Sequence, residues 1–124
     1  MKKAKDFPQA QITAMARAAH SVTIIYQIAI GEVPSPMWDD EVMRTVRPGV
    51  EEGVRLAVDG ATAEALHESW MKTKLREGWV YGSEKDFIRR THPCLRPYRE
   101  LAGAQQRKDD LFRSVVIAMA QAID

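Results

Sequence analysis

The sequence predicts one compact, mainly α-helical domain over residues 1–124, with a long turn-rich segment before the last helix. Apolar residues recur at helical spacing near both ends of the chain, which is the main signal for amphipathic helices. The composition, 45% hydrophobic and 28% charged, is typical of a folded globular chain. A length of 124 residues favours a single domain and is long enough to bury a core.

The first predicted helix covers residues 9–30, and Gly31 directly after it supplies a stop signal. Three further isoleucines widen the apolar face, so we expect this helix to contact neighbours on more than one side. They are Ile24, Ile25 and Ile28. The residues that define the helical spacing are Ile12, Ala16, Ala19, Thr23, Tyr26 and Ile30.

Two shorter helices are predicted in the rest of the N-terminal region, which ends at residue 59. Ser35 is expected to cap the first of them and Pro36 to open it, since proline is tolerated at the first helical position. Pro48 is expected to interrupt this helix, which would carry Trp38, Val42 and Val46. The next helix, ending at Asp59-Gly60, is marked by Val50, Val54 and Val58.

The third main helix and the C-terminal helix enclose the turn-rich segment. Thr62 is a candidate cap for the third helix, and Gly78 lies where a left-handed terminating residue is favoured. Residues 79–101 are dense in turn-forming residues, aromatics and charges, which predicts short helical turns or a minimal strand pair. The C-terminal helix is predicted over about residues 104–123, with one apolar stripe that forms core or a dimer contact. That stripe comprises Leu111, Phe112, Val115, Val116, Met119, Ala120 and Ile123.

Several kinds of chemistry lack their sequence signals. There is no phosphate-binding glycine loop of either common type, and a single cysteine, Cys94, excludes an internal disulfide or a cysteine-based zinc site. The pair His67-Glu68 does not begin a zinc-protease motif, because Met71 stands where the second histidine would be. No two carboxylates form a recognisable acid–base pair. We therefore expect no metal, no cofactor and no catalytic residues.

The charge balance and the apolar runs bear on location. The formal net charge of +1 gives no global attraction to nucleic acid or to an acidic membrane. The basic start of the chain is not followed by the apolar core of a signal peptide, and the most apolar run, Val22 to Ile30, is too short to span a bilayer. We expect a cytoplasmic protein that binds neither nucleic acid nor membrane.

A series of aromatic, glycine and proline positions occupies residues 63–101. In order, they are His67, Trp70, Lys74, the pentapeptide Gly-Trp-Val-Tyr-Gly at 78–82, Asp86, the heptapeptide His-Pro-Cys-Leu-Arg-Pro-Tyr at 92–98, and Leu101. This pattern resembles the ryanodine-receptor (RyR) repeat, which occurs in tandem in animal calcium-release channels and singly in bacterial and phage proteins. The flanking residues, including Trp38-Asp39-Asp40 and 108–112, resemble the single-domain prokaryotic and phage members.

The resemblance implies a non-enzymatic helical module that binds a nucleotide-derived small molecule, such as an adenine nucleotide, ADP-ribose or a cyclic nucleotide. The channels use paired repeats whereas this chain has one, so the resemblance also suggests a homodimer, or N-terminal helices that replace the second repeat. The family often has a lysine two residues before the His-Pro pair. Here Arg90 occupies that position, preceded by Arg89 and followed by Thr91.

Carried over from the family, Trp70 is the candidate for stacking on a base. The residue types fit this task, because aromatic rings stack on bases and Arg or Lys bind phosphate. For Trp70 a core position is an equal alternative, and for Trp79 a core plug that docks the loop is favoured. The competing hypothesis is a protein-interaction module in which Trp38 or the first-helix stripe docks a partner. The candidate ligand-binding residues are Trp70, Lys74, Trp79, Tyr81, Arg89, Arg90, His92, Arg96 and Tyr98.

Overall fold

The computed structural model describes residues 2–123, and within them the chain forms four α-helices and two short strands. The helices are α1 (Gln9–Ala29), α2 (Arg47–Val58), α3 (Ala63–Arg76) and α4 (Gly103–Ile123). The strands β1 (Val80–Tyr81) and β2 (Thr91–His92) lie between α3 and α4. Single 3-10 turns occur at Ala4–Asp6, Glu41–Met43 and Tyr98–Glu100. The predicted mainly helical class with a minimal strand pair is confirmed.

Helices α1, α2 and α4 pack against one another around the core. Met15 of α1, Val54 of α2 and Val116 of α4 have no solvent exposure. Complete burial of an aliphatic side chain of this kind contributes roughly 1.5–3 kcal/mol to folding. Most of the apolar stripe of α4 therefore belongs to the core, with Ala120 buried and Phe112 and Met119 packed against it, whereas Ile123 is exposed.

Two of the predicted helix boundaries have the expected local chemistry. The Thr62 hydroxyl oxygen accepts a hydrogen bond from the Ala65 amide at 3.1 Å, which caps α3. Gly78, with φ of 89°, ends the same helix in the left-handed region. Gly78 turns the chain at the end of α3, and the turn-rich segment folds back onto this helix, where His92 meets Trp70.

The predicted short helix through Trp38, Val42 and Val46 is wrong. Only the 3-10 turn Glu41–Met43 forms there, capped by the Asp40 carboxylate, which accepts from the Val42 amide at 3.1 Å. Ser35 does not cap a helix, because its amide and hydroxyl bind the buried Gln27 side chain. Pro48 does not interrupt a helix but lies in the first turn of α2, where its missing N–H costs nothing.

The turn-rich segment is held together by a parallel pairing of β1 with β2. Tyr81 pairs in register with His92, and Val80 with Thr91. The connecting loop closes through reciprocal backbone hydrogen bonds between Asp86 and Thr91, at 3.0 and 3.1 Å. The Asp86 carboxylate also accepts from two following backbone amides, so it caps this turn.

Candidate ligand-binding site

Four of the predicted site residues form one continuous surface, which we call the aromatic face: Trp70, Tyr81, His92 and Arg96. The ring centroids of Trp70 and His92 are 5.0 Å apart in an edge-on arrangement. His92 is the register partner of Tyr81, so both side chains project from the same side of the strand pair. The guanidinium of Arg96 lies over the Tyr81 ring at 5.1 Å from its centroid. Tyr81 is 53% exposed, which leaves ring area free for a ligand.

Trp79 and Lys74 lie beneath this face. Trp79 is only 8% exposed, with Phe87 packed edge-on at 5.5 Å between centroids. The Lys74 ammonium lies 5.1 Å from the Trp79 centroid and 3.7 Å from a Glu77 carboxylate oxygen. Trp79 is therefore a core residue, which is the alternative that the sequence favoured. A ring so buried presents almost no area for stacking on a base. Lys74 contributes positive charge from below.

Arg89 and Arg90 do not join the aromatic face. Both are exposed on the turn before β2, and the Arg90 backbone has a φ of 55°, which is unusual for a residue other than glycine. The Arg90 guanidinium donates to the Glu77 carbonyl oxygen at 2.7 Å. Arg90 thus ties the turn to the end of α3 in this conformation.

Tyr98 lies behind the aromatic face, next to the buried imidazole of His67. The two ring centroids are 6.0 Å apart. The Tyr98 carbonyl oxygen accepts from the Gln106 side-chain amide at 2.9 Å, and its hydroxyl lies 3.5 Å from the Gln106 carbonyl oxygen. Burial raises the pKa of the Tyr98 hydroxyl, so it stays neutral near pH 7. These contacts anchor the segment to α4.

A cavity of about 260 Å³ opens on the other side of His92. It brings together residues that are far apart in the chain and that no motif or spacing links. Lys85 comes from the loop between the strands, and Glu32 from the segment after α1. The cavity is lined by Glu32, Val33, Lys85, His92, Pro93, Cys94 and Gln105.

Charge in this cavity is predominantly positive. Burial, followed by repulsion from Lys85, Lys108 and Lys74, lowers the pKa of His92 to about 4. Burial and then Lys108 likewise lower the pKa of Lys85, although much of its side chain is exposed. Burial raises the pKa of the Cys94 thiol, which disfavours a reactive thiolate. The cavity therefore contains a neutral imidazole and a neutral thiol beside ammonium groups.

A second, more open cavity of about 470 Å³ lies between α2 and α3. Its lining includes Leu56, Ala65 and Lys72, none of which the sequence marked as a candidate. Within residues 2–123, no three or more His, Cys, Asp or Glu side chains are grouped for metal binding. Over the same residues, no helix combines the length and apolarity needed to cross a bilayer.

The helical scaffold and its aromatic and cationic surfaces fit a binding or interaction module. A family model for the RyR domain matches residues 52–123, more than half of the chain. The chain therefore belongs to the RyR domain family. The match extends beyond the motif at residues 63–101 to most of α2 and all of α4, so it includes two of the three helices that form the core.

Proposed function

We propose that this chain is a non-enzymatic receptor or sequestering module for a nucleotide-derived small molecule, acting in the cytoplasm in bacterial or phage signalling. The observation that carries the proposal is the Arg96 guanidinium over the half-exposed Tyr81 ring, 5.1 Å from its centroid. A ring and a cation in contact at the surface suit a ligand that is both flat and anionic. His92 and Trp70 extend the aromatic area beside them.

The energies available are sufficient for micromolar binding, which requires about 8 kcal/mol. Stacking of one base on an aromatic ring contributes about 1–3 kcal/mol. Each hydrogen bond to a charged group contributes roughly 1.5–3 kcal/mol. One stacked base with two or three such contacts reaches the requirement when the site is largely pre-formed. Most contacts within the aromatic face are already made without ligand, which limits the ordering cost.

Calorimetric titration with ATP, ADP-ribose and cyclic nucleotides tests the proposal. We expect saturable binding of at least one of them, lost in Tyr81→Ala and retained in Tyr81→Phe, because phenylalanine keeps the ring. Circular dichroism of both variants should match the unsubstituted protein. Chromatography of the incubated nucleotides should recover them unchanged. Absence of binding across the panel, or turnover of a nucleotide, would contradict the proposal.

A protein-interaction role is the second candidate, and exposed apolar residues at the end of α1 favour it. Ile25 and Ile28 share one helix face and are 65% and 61% exposed. Val33 and Met37 in the following segment are exposed as well. Trp38, which the sequence suggested as a docking residue, is buried in the core and cannot serve in this conformation. Ile25→Lys combined with Ile28→Lys should leave nucleotide binding intact, and should abolish partner capture only if this second role is correct.

A further inference from the structure

Lys85 and His92, which both line the cavity, each carry a hydrogen-bond donor without an acceptor among residues 2–123. The Lys85 ammonium forms no ion pair with them and lies over the Phe87 ring, 5.6 Å from the centroid. The second donor is a ring nitrogen of His92. Its Nδ1 accepts a hydrogen bond from the Cys94 amide at 3.0 Å, so Nδ1 carries no proton. In the neutral ring the proton is therefore on Nε2, which has no acceptor.

The carboxylate that lines the cavity does not neutralise these donors. Both oxygens of Glu32 are occupied, one by the Lys108 ammonium at 2.8 Å and the other by the Gln105 amide at 2.7 Å. Although burial alone would raise the pKa of Glu32, these hydrogen bonds lower it overall, so Glu32 remains ionised and offsets Lys108. The charge of Lys85 is left in excess.

Lys74 adds to this excess from the side of α3, because its positive charge lowers the pKa of both Lys85 and His92. The first turn of α4 also faces the cavity through Gln105, and the positive end of a helix dipole favours anions. At about 260 Å³ the cavity is smaller than the roughly 300–1,000 Å³ typical of pockets for whole ligands. It is suited to one group of a ligand rather than to a whole nucleotide.

We infer that the cavity between Lys85, His92 and Gln105 binds a phosphate group, with Lys85 and the Nε2–H of His92 as the donors. In the proposed function, on which this assignment rests for the identity of the ligand, the base stacks on the aromatic face. His92 then contacts both halves, because its ring touches Trp70 and also lines the cavity. Phosphate recognition is thus assigned to Lys85, whereas Arg89 and Arg90 stay on the outer turn.

Titration of the whole chain with inorganic pyrophosphate and, separately, with ATP at constant ionic strength tests this assignment. We expect saturable pyrophosphate binding, weakened at least about tenfold by Lys85→Gln, since a charge-assisted contact is lost. Lys5→Gln removes the same charge from an exposed lysine in the N-terminal 3-10 turn and should bind as the unsubstituted protein does. Bound pyrophosphate should also raise the pKa of His92, followed by NMR of its ring signals.

Comparing pyrophosphate with nucleotides distinguishes failure of the phosphate cavity from failure of the nucleotide function. If pyrophosphate binds through Lys85 and neither ATP, ADP-ribose nor a cyclic nucleotide binds better than pyrophosphate, the phosphate cavity is supported and the nucleotide function fails. If ATP binds and Lys85→Gln leaves its affinity unchanged, the cavity assignment is overturned and the nucleotide function stands. Pyrophosphate that does not bind saturably, or binds equally to Lys85→Gln, overturns the cavity assignment in either case.

Discussion

Asp109 on α4 faces the buried imidazole of His67 on α3, with 3.8 Å between a carboxylate oxygen and Nδ1. The other ring nitrogen of His67 lies 2.8 Å from the Arg96 carbonyl oxygen, which only accepts, so this nitrogen carries a proton. His67 therefore joins α3, α4 and the turn-rich segment at one point. Burial raises the pKa of Asp109 to about 6, which makes this junction sensitive to pH.

The first prediction concerns the free energy of unfolding between pH 4 and pH 6. A carboxyl whose pKa is higher in the folded state stabilises the fold while it is protonated, and this contribution is lost as the pH rises through about 6. Asp109→Asn cannot ionise, so relative to the unsubstituted protein it should gain stability over this range, on the order of 3 kcal/mol by pH 7. Urea unfolding at several pH values measures the difference.

Glu84→Gln is the control, because the Glu84 carboxylate is exposed and is not among the charges that act on Asp109. It should follow the unsubstituted protein. The free energies of unfolding must be compared between variants at each pH, because the ionisation of His92 changes the stability of every variant with the opposite dependence on pH. Its pKa of about 4 means that its stabilising effect is present above about pH 6.5 and is lost as the pH falls. A parallel pH profile for Asp109→Asn would refute the prediction.

The second prediction distinguishes the core aromatic from the surface aromatic. Trp79→Ala should lower the free energy of unfolding by about 3–5 kcal/mol, because it removes a buried ring. Tyr81→Ala, two residues later, should cost less than about 1 kcal/mol, since that ring is half exposed. Chemical denaturation monitored by circular dichroism measures both. Equal costs would show that burial does not separate the two residues.

The third prediction concerns the strand pair beneath the aromatic face. A Cβ atom at Gly82 would come within 2.6 Å of the Thr91 Cβ, too close for β1 and β2 to stay paired without a shift. Gly82→Ala should therefore destabilise the fold by roughly 1–3 kcal/mol. In contrast, a Cβ at Gly49 meets nothing within 4 Å, and Gly49→Ala in α2 should stabilise by up to about 1 kcal/mol. A neutral Gly82→Ala would contradict this steric account.

The fourth prediction links Lys85 to His92 without any ligand. Because the positive charge of Lys85 helps to lower the pKa of His92, Lys85→Gln should raise that pKa above about 4. NMR titration of the histidine ring protons measures it. Lys5→Gln should leave the titration curve unchanged. If Lys85→Gln has no effect either, the two groups are not coupled through the cavity.

The fifth prediction is the homodimer suggested by the single repeat. Sedimentation equilibrium over a wide concentration range should detect a dimer. The exposed isoleucines of α1 offer apolar area for such a contact, so Ile25→Lys with Ile28→Lys should shift the equilibrium toward monomer. Ser83→Lys with Gln121→Lys is the control, because it adds the same two charges at exposed positions outside α1. A monomeric mass at every concentration would refute the homodimer.

Local sequence signals predicted a helix end correctly where a single residue caps or terminates the helix. Thr62 and Gly78 bound α3 because a hydroxyl cap and a left-handed glycine act within a few residues of themselves. The same local reasoning failed at Ser35 and Pro48. Ser35 is engaged by the distant Gln27 side chain, and Pro48 joins the helix that follows it rather than ending the one predicted before it.

The candidate site shows the same division. Motif order placed Trp70, Tyr81, His92 and Arg96 on the candidate list, and these four lie on one surface because the strand register aligns Tyr81 with His92. Lys85 is one of several cations in the turn-rich segment, and nothing in its neighbours along the chain distinguishes it from a solvated lysine. Its position opposite Glu32 and Gln105 arises only when the loop folds against the start of α4.

The sequence alone determined the helical class, the ends of α3 and which residues belong to the aromatic motif. Helical periodicity, caps and turn residues act over short separations along the chain. Only the tertiary structure decided which rings are buried and which cations converge. Burial and electrostatic excess depend on the sum of neighbours from distant segments, as in the burial of Trp79 and the three lysines around His92. No single stretch of the chain encodes that sum.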